Sequence, residues 1–385
     1  MQDAKFDRQT PQQNTRNTNI EWLRIISMLL IIAYHAGYQS IDQPFIMYSS
    51  GVVFGSWGLL GVDLFLIISA WFLSSQQFRV KKIIHIVFQT FTWVLGYSVL
   101  YVIYDCFYCH NGVVATLIDF CKYSLEGFFQ PLWCNYYWFI TTYFFMLLLS
   151  PFLNKILNVL NKSQIQKLLL VFLFVPIYAQ FGRSAVCDVF RFLYVYLLIG
   201  YIKKYGSLII EKYAKPRFYI FLIALVLLSK FVCYFFSGEN SISKFTSMII
   251  IILNNTFAKT GRHSIILLLI SMLIFFHVLN KKPTFNNKVN KIASYCLGVY
   301  LFHENVVLGL PRTIGIIFGK LTSLGFLTAD VLFPVKYAGI VVCVFIIGIL
   351  CEWIRDCILQ KPFMKYVSTK WTQKISRVDK WFNNF

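Results

Sequence analysis

The chain has 385 residues, of which 58% are hydrophobic and 14% are charged, with a mean hydropathy of +0.63 and a formal net charge of +20. Soluble domains carry roughly 25% charged residues, so the composition excludes an ordinary soluble domain and predicts an all-α, polytopic membrane helix bundle. Because no basic patch lies outside the short loops, we expect no binding to nucleic acid.

The chain divides into a transmembrane domain and two polar tails. Residues 1–19 are rich in Gln, Asn and Thr, which predicts a disordered cytoplasmic tail, and no cleavable signal peptide is visible. The transmembrane domain is predicted at 20–358 and a basic cytoplasmic tail at 359–385. The runs 243–257 and 311–334 fit either re-entrant or interfacial segments. About ten spans are predicted, near 20–38, 51–75, 83–104, 136–154, 167–181, 189–203, 217–236, 263–280, 292–310 and 335–354.

Loop charge predicts the orientation of these spans. With the N-terminus inside, every inner loop is basic, whereas the outer loops hold far fewer lysines and arginines. The positive-inside rule therefore predicts that both termini face the cytoplasm.

The first predicted span carries two ionisable groups on one face. Arg24 and His35 are 35 − 24 = 11 residues apart, which is about three helical turns plus ~20° and ~16 Å along the axis. Glu21, Met28 and Ile31 share this face. Because a cation inside a span is costly, Arg24 should face the bundle interior or a wet cavity. This face, the Arg24–His35 stripe, carries polar groups at two depths and suggests a path through the protein.

Each of the two groups has a functional and a structural interpretation. His35 has the ordinary acid–base chemistry of a general base for a hydroxyl, or it is a packed histidine that donates to a neighbouring helix. Arg24 either binds an anion such as a phosphate or extends its side chain to the membrane edge.

Asp63 is predicted near the middle of the second span. A carboxylate inside a membrane is a functional candidate. It is equally well explained as a structural partner for Arg24 or His35.

Four basic side chains mark the start of the third span: Arg79, Lys81, Lys82 and His85. They are explained either as topology signals or as a clamp for the phosphates of a nucleotide-like cofactor.

The predicted outer loop at 105–135 contains Cys106-Phe-Tyr-Cys109-His110, which matches the c-type haem attachment pattern. A five-residue pattern arises by chance, so we expect no haem and favour a disulfide or free thiols among the cysteines of this loop. A c-type electron carrier would rest on this pattern alone.

His303 and Glu304 interrupt the apolar run of the ninth span. Two adjacent ionisable groups in a span are rare and favour a function. The chain has no P-loop, G-x-S-x-G or H-E-x-x-H motif, which argues against an ATP-driven pump and common hydrolases. No metal site is predicted.

Several motifs together resemble membrane acyltransferase family 3, the integral-membrane O-acyltransferases. The resemblance spans about 20–355 and rests on Arg24-x10-His35, Gly61-Val-Asp-Leu-Phe-Leu-Ile-Ile-Ser-Ala70, Trp138-Phe-Ile-x2-Tyr143 through Leu149-Ser-Pro151-Phe-Leu153, Tyr196-Leu-Leu-Ile-Gly200-Tyr and Gly298-Val-Tyr-Leu-Phe-His303.

The chain departs from the family pattern in two places. The second-span motif ends Ser69-Ala70 instead of Ser-Gly. Where the family often has two arginines three apart, this chain has Lys82 and His85, which lack the planar fork of arginine.

The resemblance implies a bacterial plasma-membrane enzyme that transfers an acyl group, usually acetyl, from cytoplasmic acyl-CoA to a sugar hydroxyl. The implied acceptor is a cell-surface polysaccharide or its lipid-linked precursor, and acetyl-CoA is a co-substrate, not a permanently bound cofactor. His35 would act as base, oriented by Asp63 or Glu304, with His303 as the next candidate base. Arg24 and the basic cluster at 79–85 would bind the coenzyme A phosphates. The alternative is a transporter of a glycan precursor or small solute.

Overall fold

The computed structural model describes residues 16–37, 44–104, 114, 117–118, 120–122, 137–174, 185–236, 264–304 and 313–384. These residues form helices and the turns between them, and none of them belongs to a β-strand. The prediction of an all-α fold is therefore confirmed for the described part of the chain. Most of the 105–135 loop, including the Cys106–His110 pattern, lies outside the described residues, and its haem or disulfide state stays a prediction.

The helices of the N-terminal half are α1 Thr18–His35, α2 Phe45–Ser50, α3 Gly58–Leu73, α4 Val80–Tyr104, α5 Trp138–Val159, α6 Lys162–Phe172 and α7 Ala185–Tyr205. Those of the C-terminal half are α8 Ser207–Tyr213, α9 Pro216–Phe236, α10 Ile265–Leu279, α11 Asn287–Ser294, α12 Cys296–His303, α13 Thr313–Ser323, α14 Phe333–Arg355, α15 Lys361–Lys370 and α16 Thr372–Asn383. Short π-helical turns at Gly51–Gly55 and Asp356–Gln360 connect α2 to α3 and α14 to α15.

Each predicted span overlaps a helix, and the described part of the chain holds 5 helical segments long and apolar enough to cross a membrane. They are Phe45–Leu73, Val80–Leu100, Trp138–Val159, Pro216–Phe235 and Phe333–Lys370. The number of ten spans stays a prediction. The last segment is one continuous helical run, so the predicted domain end at residue 358 falls inside a helix.

Helix α1 lies inside the bundle, where it contacts α3, α10, α11, α12 and α14. Its closest approach is to α3 and depends on two glycines one turn apart. A Cβ on Gly58 would lie 2.2 Å from Tyr34 Cβ, and a Cβ on Gly61 would lie 2.5 Å from the Ser27 carbonyl oxygen. Small residues at such positions let membrane helices pack closely, which here places the Arg24–His35 stripe next to α3.

The first turn of α1 is fixed by polar contacts with α11 and with the segment before it. Asn17 is the N-cap, and its side chain accepts from the Asn19 amide. The Thr18 hydroxyl donates to Asn290 Oδ1 at 2.8 Å, and the Asn19 side-chain amide donates to the Lys282 carbonyl at 2.8 Å. Thr18 and Asn19, which the sequence places in the tail, are therefore part of the folded bundle. Residues 1–15 lie outside the described residues.

The C-terminal helix α16 packs against the start of α4. Asp379 Oδ1 accepts from the Val80 amide at 2.7 Å, and Asn383 accepts from the Phe78 amide at 2.9 Å. The rings of Phe78 and Phe382 lie 4.4 Å apart. Because the first amides of a helix lack partners within the helix, Asp379 caps α4 from a residue 299 positions away.

Both termini are expected in the cytoplasm, because the charge asymmetry of the loops orients the whole chain. A membrane-impermeant maleimide applied to intact cells should label Val114→Cys, an exposed site in the predicted outer loop, but not Lys288→Cys. Both variants are made in a background in which Cys106, Cys109, Cys121 and Cys134, the native cysteines of that loop, are replaced by serine. Labelling of Lys288→Cys but not of Val114→Cys would show the opposite orientation and contradict this prediction.

Candidate active site

Three ionisable side chains meet where α1 and α12 end. His35 is the last residue of α1, His303 is the last residue of α12, and Glu304 follows directly. His35 Nδ1 lies 2.9 Å from Glu304 Oε2 and 3.1 Å from His303 Nε2. His303 and Glu304 are buried, at 0% and 2% exposure, whereas His35 is partly buried.

The hydrogen bonds of this cluster assign the protons on neutral imidazole rings. His303 Nδ1 lies 2.7 Å from the Val299 carbonyl, which can only accept, so Nδ1 carries the proton. His303 Nε2 is then the acceptor for the His35 Nδ1–H, and Glu304 Oε2 lies 2.9 Å from the same His35 nitrogen, close enough to stabilise a positive charge on the ring. The lone pair of His35 is left on Nε2, as a general base requires.

Three tyrosine hydroxyls hold the backbone that carries this cluster. Tyr97 of α4 donates to the Phe302 carbonyl at 2.5 Å, and Tyr137, just before α5, donates to the Leu301 carbonyl at 3.0 Å. Tyr337 of α14 donates to the Ala33 carbonyl. The last carbonyls of a helix lack partners within the helix, so these bonds fix the ends of α1 and α12 against three other helices.

A cavity of about 240 Å³ opens beside Arg24 and runs along α1. Arg24, Met28 and Ile31, which the helical spacing predicts on one face, all line it. Ile31 precedes His35 by one turn, and Tyr300, which also lines the cavity, has its ring centroid 6.1 Å from that of His303. The cavity therefore points from the arginine towards the histidine cluster.

Arg24 is already paired within α1. Its NH1 group lies 2.8 and 2.9 Å from the two carboxylate oxygens of Glu21. Glu21 is buried, whereas the Arg24 side chain keeps 22% exposure on the cavity. A single guanidinium nitrogen makes both contacts with Glu21, and the planar fork can offer its other donors to an anion in the cavity.

Asp63, which the sequence suggests as a partner of Arg24 or His35, lies against Arg191 of α7. The Asp63 oxygens lie 2.8 and 3.0 Å from two nitrogens of Arg191 in α7, and both side chains are at least 96% buried. This bidentate pair joins α3 to α7. Of the two orienting carboxylates that the sequence suggests, Glu304 contacts His35 and Asp63 binds Arg191.

The basic cluster at the start of α4 lies apart from the described lining of the cavity, which includes none of Arg79, Lys81, Lys82 and His85. Lys82 Nζ donates to Gln76 Oε1 at 2.6 Å. The sequence analysis missed Arg16, which does line the cavity. Its neighbours in the sequence are polar and give no signal for a site.

A second polar network is buried between α4 and α14. Arg355 contacts both Glu352 oxygens at 2.7 and 2.8 Å, and Glu352 also accepts from Gln89 and from the Trp93 ring nitrogen, each at 2.8 Å. Arg191 and this network escaped the sequence analysis, although the rule that singled out Arg24 also applies to them: ionisable groups in apolar spans need partners.

The histidine cluster also has the donor types of a metal site. One ligand atom each of His35, His303 and Glu304 lies within 4.8 Å of the others. Imidazole nitrogens and a carboxylate oxygen are ligands that Zn²⁺ accepts.

The model of a family described as an acyltransferase domain matches residues 17–353 of this chain. Comparison with curated proteins and comparison with solved structures gave no match. The family match covers most of the chain and all the described residues of the cluster and cavity except Arg16. The chain therefore belongs to membrane acyltransferase family 3, as the resemblance predicts.

Proposed function

We propose that this acyltransferase is an O-acetyltransferase of a bacterial plasma membrane. It transfers acetyl from cytoplasmic acetyl-CoA to a sugar hydroxyl of a cell-surface polysaccharide or of its lipid-linked precursor. The observation that carries the proposal is the histidine–glutamate cluster one helical turn beyond an arginine-lined cavity. The sugar acceptor is supported by the family resemblance.

The cavity provides a place for the donor. Arg24, which lines the cavity and keeps 22% exposure, binds a phosphate of coenzyme A, since guanidinium groups form strong, directional hydrogen bonds to phosphate. An extended arm from this arginine towards His35 has to reach ~16 Å along α1. The largely apolar wall that includes Met28, Ile31 and Val62 suits a thioester arm.

The cluster provides the base. His35 Nε2 takes the proton of the sugar hydroxyl, whose oxygen forms a bond to the thioester carbonyl carbon. The carbon–sulfur bond then breaks, and the thiolate of coenzyme A takes the proton from the His35 imidazolium. Glu304, at 2.9 Å from Nδ1, orients the ring and stabilises its cationic form, as the carboxylate of a hydrolase triad does.

The direct test is acetyl transfer by the purified full chain. With acetyl-CoA and the acceptor glycan, the protein should release free coenzyme A thiol and leave acetyl ester on the sugar. The acetyl content of the surface glycan should fall when the gene is deleted. Uptake of a glycan precursor without any thioester cleavage would favour the transporter instead.

Arg24→Ala is expected to raise the KM for acetyl-CoA about 10- to 100-fold with a smaller effect on kcat, because a charged hydrogen bond to a phosphate contributes roughly 1.5–3 kcal/mol. Arg24→Lys should restore this only in part, since lysine lacks the planar fork. Steady-state kinetics measure both.

Two variants control this experiment. Glu21→Gln/Arg24→Gln removes both charges of the buried pair, which separates lost stability from lost donor binding. Arg79→Ala removes a cation that the family resemblance assigns to the donor but that is not among the lining residues of the cavity. A KM that rises for Arg79→Ala and not for Arg24→Ala would move the phosphate site to the start of α4.

A further inference from the structure

An apolar groove of about 430 Å³ lies between α7, α8, α9 and α10, away from the histidine cluster. Its walls include Ile202, Tyr213, Phe218, Phe221, Met272 and Phe276. Phe221 remains 67% exposed. Because α9 is one of the candidate membrane spans, we expect its exposed apolar side chains to face lipid. The groove volume is in the range of small-molecule sites, about 300–1,000 Å³.

Two cations stand at one end of this groove, on the rings that form its wall. Lys212 Nζ lies 5.1 Å from the ring centroid of Tyr213, and the Arg217 guanidinium carbon lies 4.9 Å from that of Phe218. Both cations are exposed, and neither makes an ion pair with a described residue. The connection between α8 and α9 also carries Lys215.

We propose that this groove binds an anionic phospholipid, with one acyl chain against the apolar wall and the phosphate on Lys212 and Arg217. Inside a bilayer the apolar wall cannot discriminate strongly, because lipid tails are as apolar as the groove. The headgroup decides the selectivity. Each cation near the membrane surface favours an anionic lipid about fivefold, so the pair favours it about thirtyfold.

The charge of the rim argues against a second copy of this chain as the occupant. A two-fold contact through this surface places the same patch on both subunits. Lys212 and Arg217 of each copy would then face a surface of the same sign, and juxtaposed like charges oppose association.

Native mass spectrometry of the full chain in detergent tests the proposal, with equal amounts of phosphatidylglycerol and phosphatidylethanolamine added. The wild type should bind phosphatidylglycerol about thirtyfold better. Lys212→Ala/Arg217→Ala should bring the two lipids close to parity. Leu273→Trp, which fills the groove, should lower the occupancy of both.

The matched control is Lys162→Ala/Lys167→Ala, which removes two exposed lysines of α6 that do not line the groove. It should leave the preference unchanged. An equal loss in this control would show general surface electrostatics and overturn the proposal. Equal binding of both lipids by the wild type would also overturn the proposal. So would a lipid-free dimer of the wild type that dissociates in Lys212→Ala/Arg217→Ala.

Discussion

Replacing His35 by alanine is expected to lower acetyl transfer about 100- to 10,000-fold, the contribution of a positioned general base. The lone pair of His35 is directed away from Glu304 and His303, which occupy its Nδ1 side. The replacement of His35 frees the lone pair of His303 Nε2, but that atom lies 3.1 Å from the Nδ1 side of the original ring, not where His35 Nε2 stood. Transfer to the glycan is measured with the purified variant and in cells.

The fold should survive this change, because His35 ends α1 and the Ala33 carbonyl remains bound to Tyr337. Thermal unfolding and expression of each variant check this point. His277→Ala is the matched control: this histidine of α10 bonds the Ala214 carbonyl at 3.1 Å and lines neither the cluster nor the Arg24 cavity. A well-folded His35→Ala that keeps most of its activity would contradict the mechanism and make His303 the next candidate base.

The sequence predicts contacts in this site between residues that are close along the chain, but not between residues that are far apart. Arg24, Met28 and Ile31 lie on one helix, so the helical period alone places them on one face, and all three line the cavity. His303 and Glu304 are also recognisable, as ionisable groups in an apolar run. Their meeting with His35 joins residues 268 positions apart, and no local pattern encodes that contact.

The start of α4 shows a second limit of sequence reasoning. The basic residues near Arg79 fit both topology signals and a phosphate clamp, because their charge does not show which groups of the folded protein or ligand lie next to them. In the structure, Asp379 of the C-terminal helix caps α4 at this point. The segment at 359–385, predicted as a basic tail, is therefore helical through residue 383 and packed against α4.

Breaking the Asp63–Arg191 pair is expected to have the second large effect, here on stability. Asp63→Ala leaves a buried guanidinium without its two carboxylate contacts, and Arg191→Ala leaves a buried carboxylate. Removing one partner of such a pair typically costs about 3–5 kcal/mol of unfolding free energy. Thermal unfolding in detergent measures the loss. Lys361→Ala, which removes an exposed lysine paired with Asp356, should change stability little because water screens that pair.

Removing both charges of the buried pair should cost less than removing either one, because Asp63→Leu/Arg191→Met leaves no unpaired charge between α3 and α7. This double variant also tests whether Asp63 takes part in the reaction. Since both Asp63 oxygens are bound to Arg191, the folded double variant should keep acetyl transfer. A double variant that is as stable as the wild type but inactive would restore Asp63 as a group that acts on His35, and would require the α3–α7 pair to rearrange when the substrates bind.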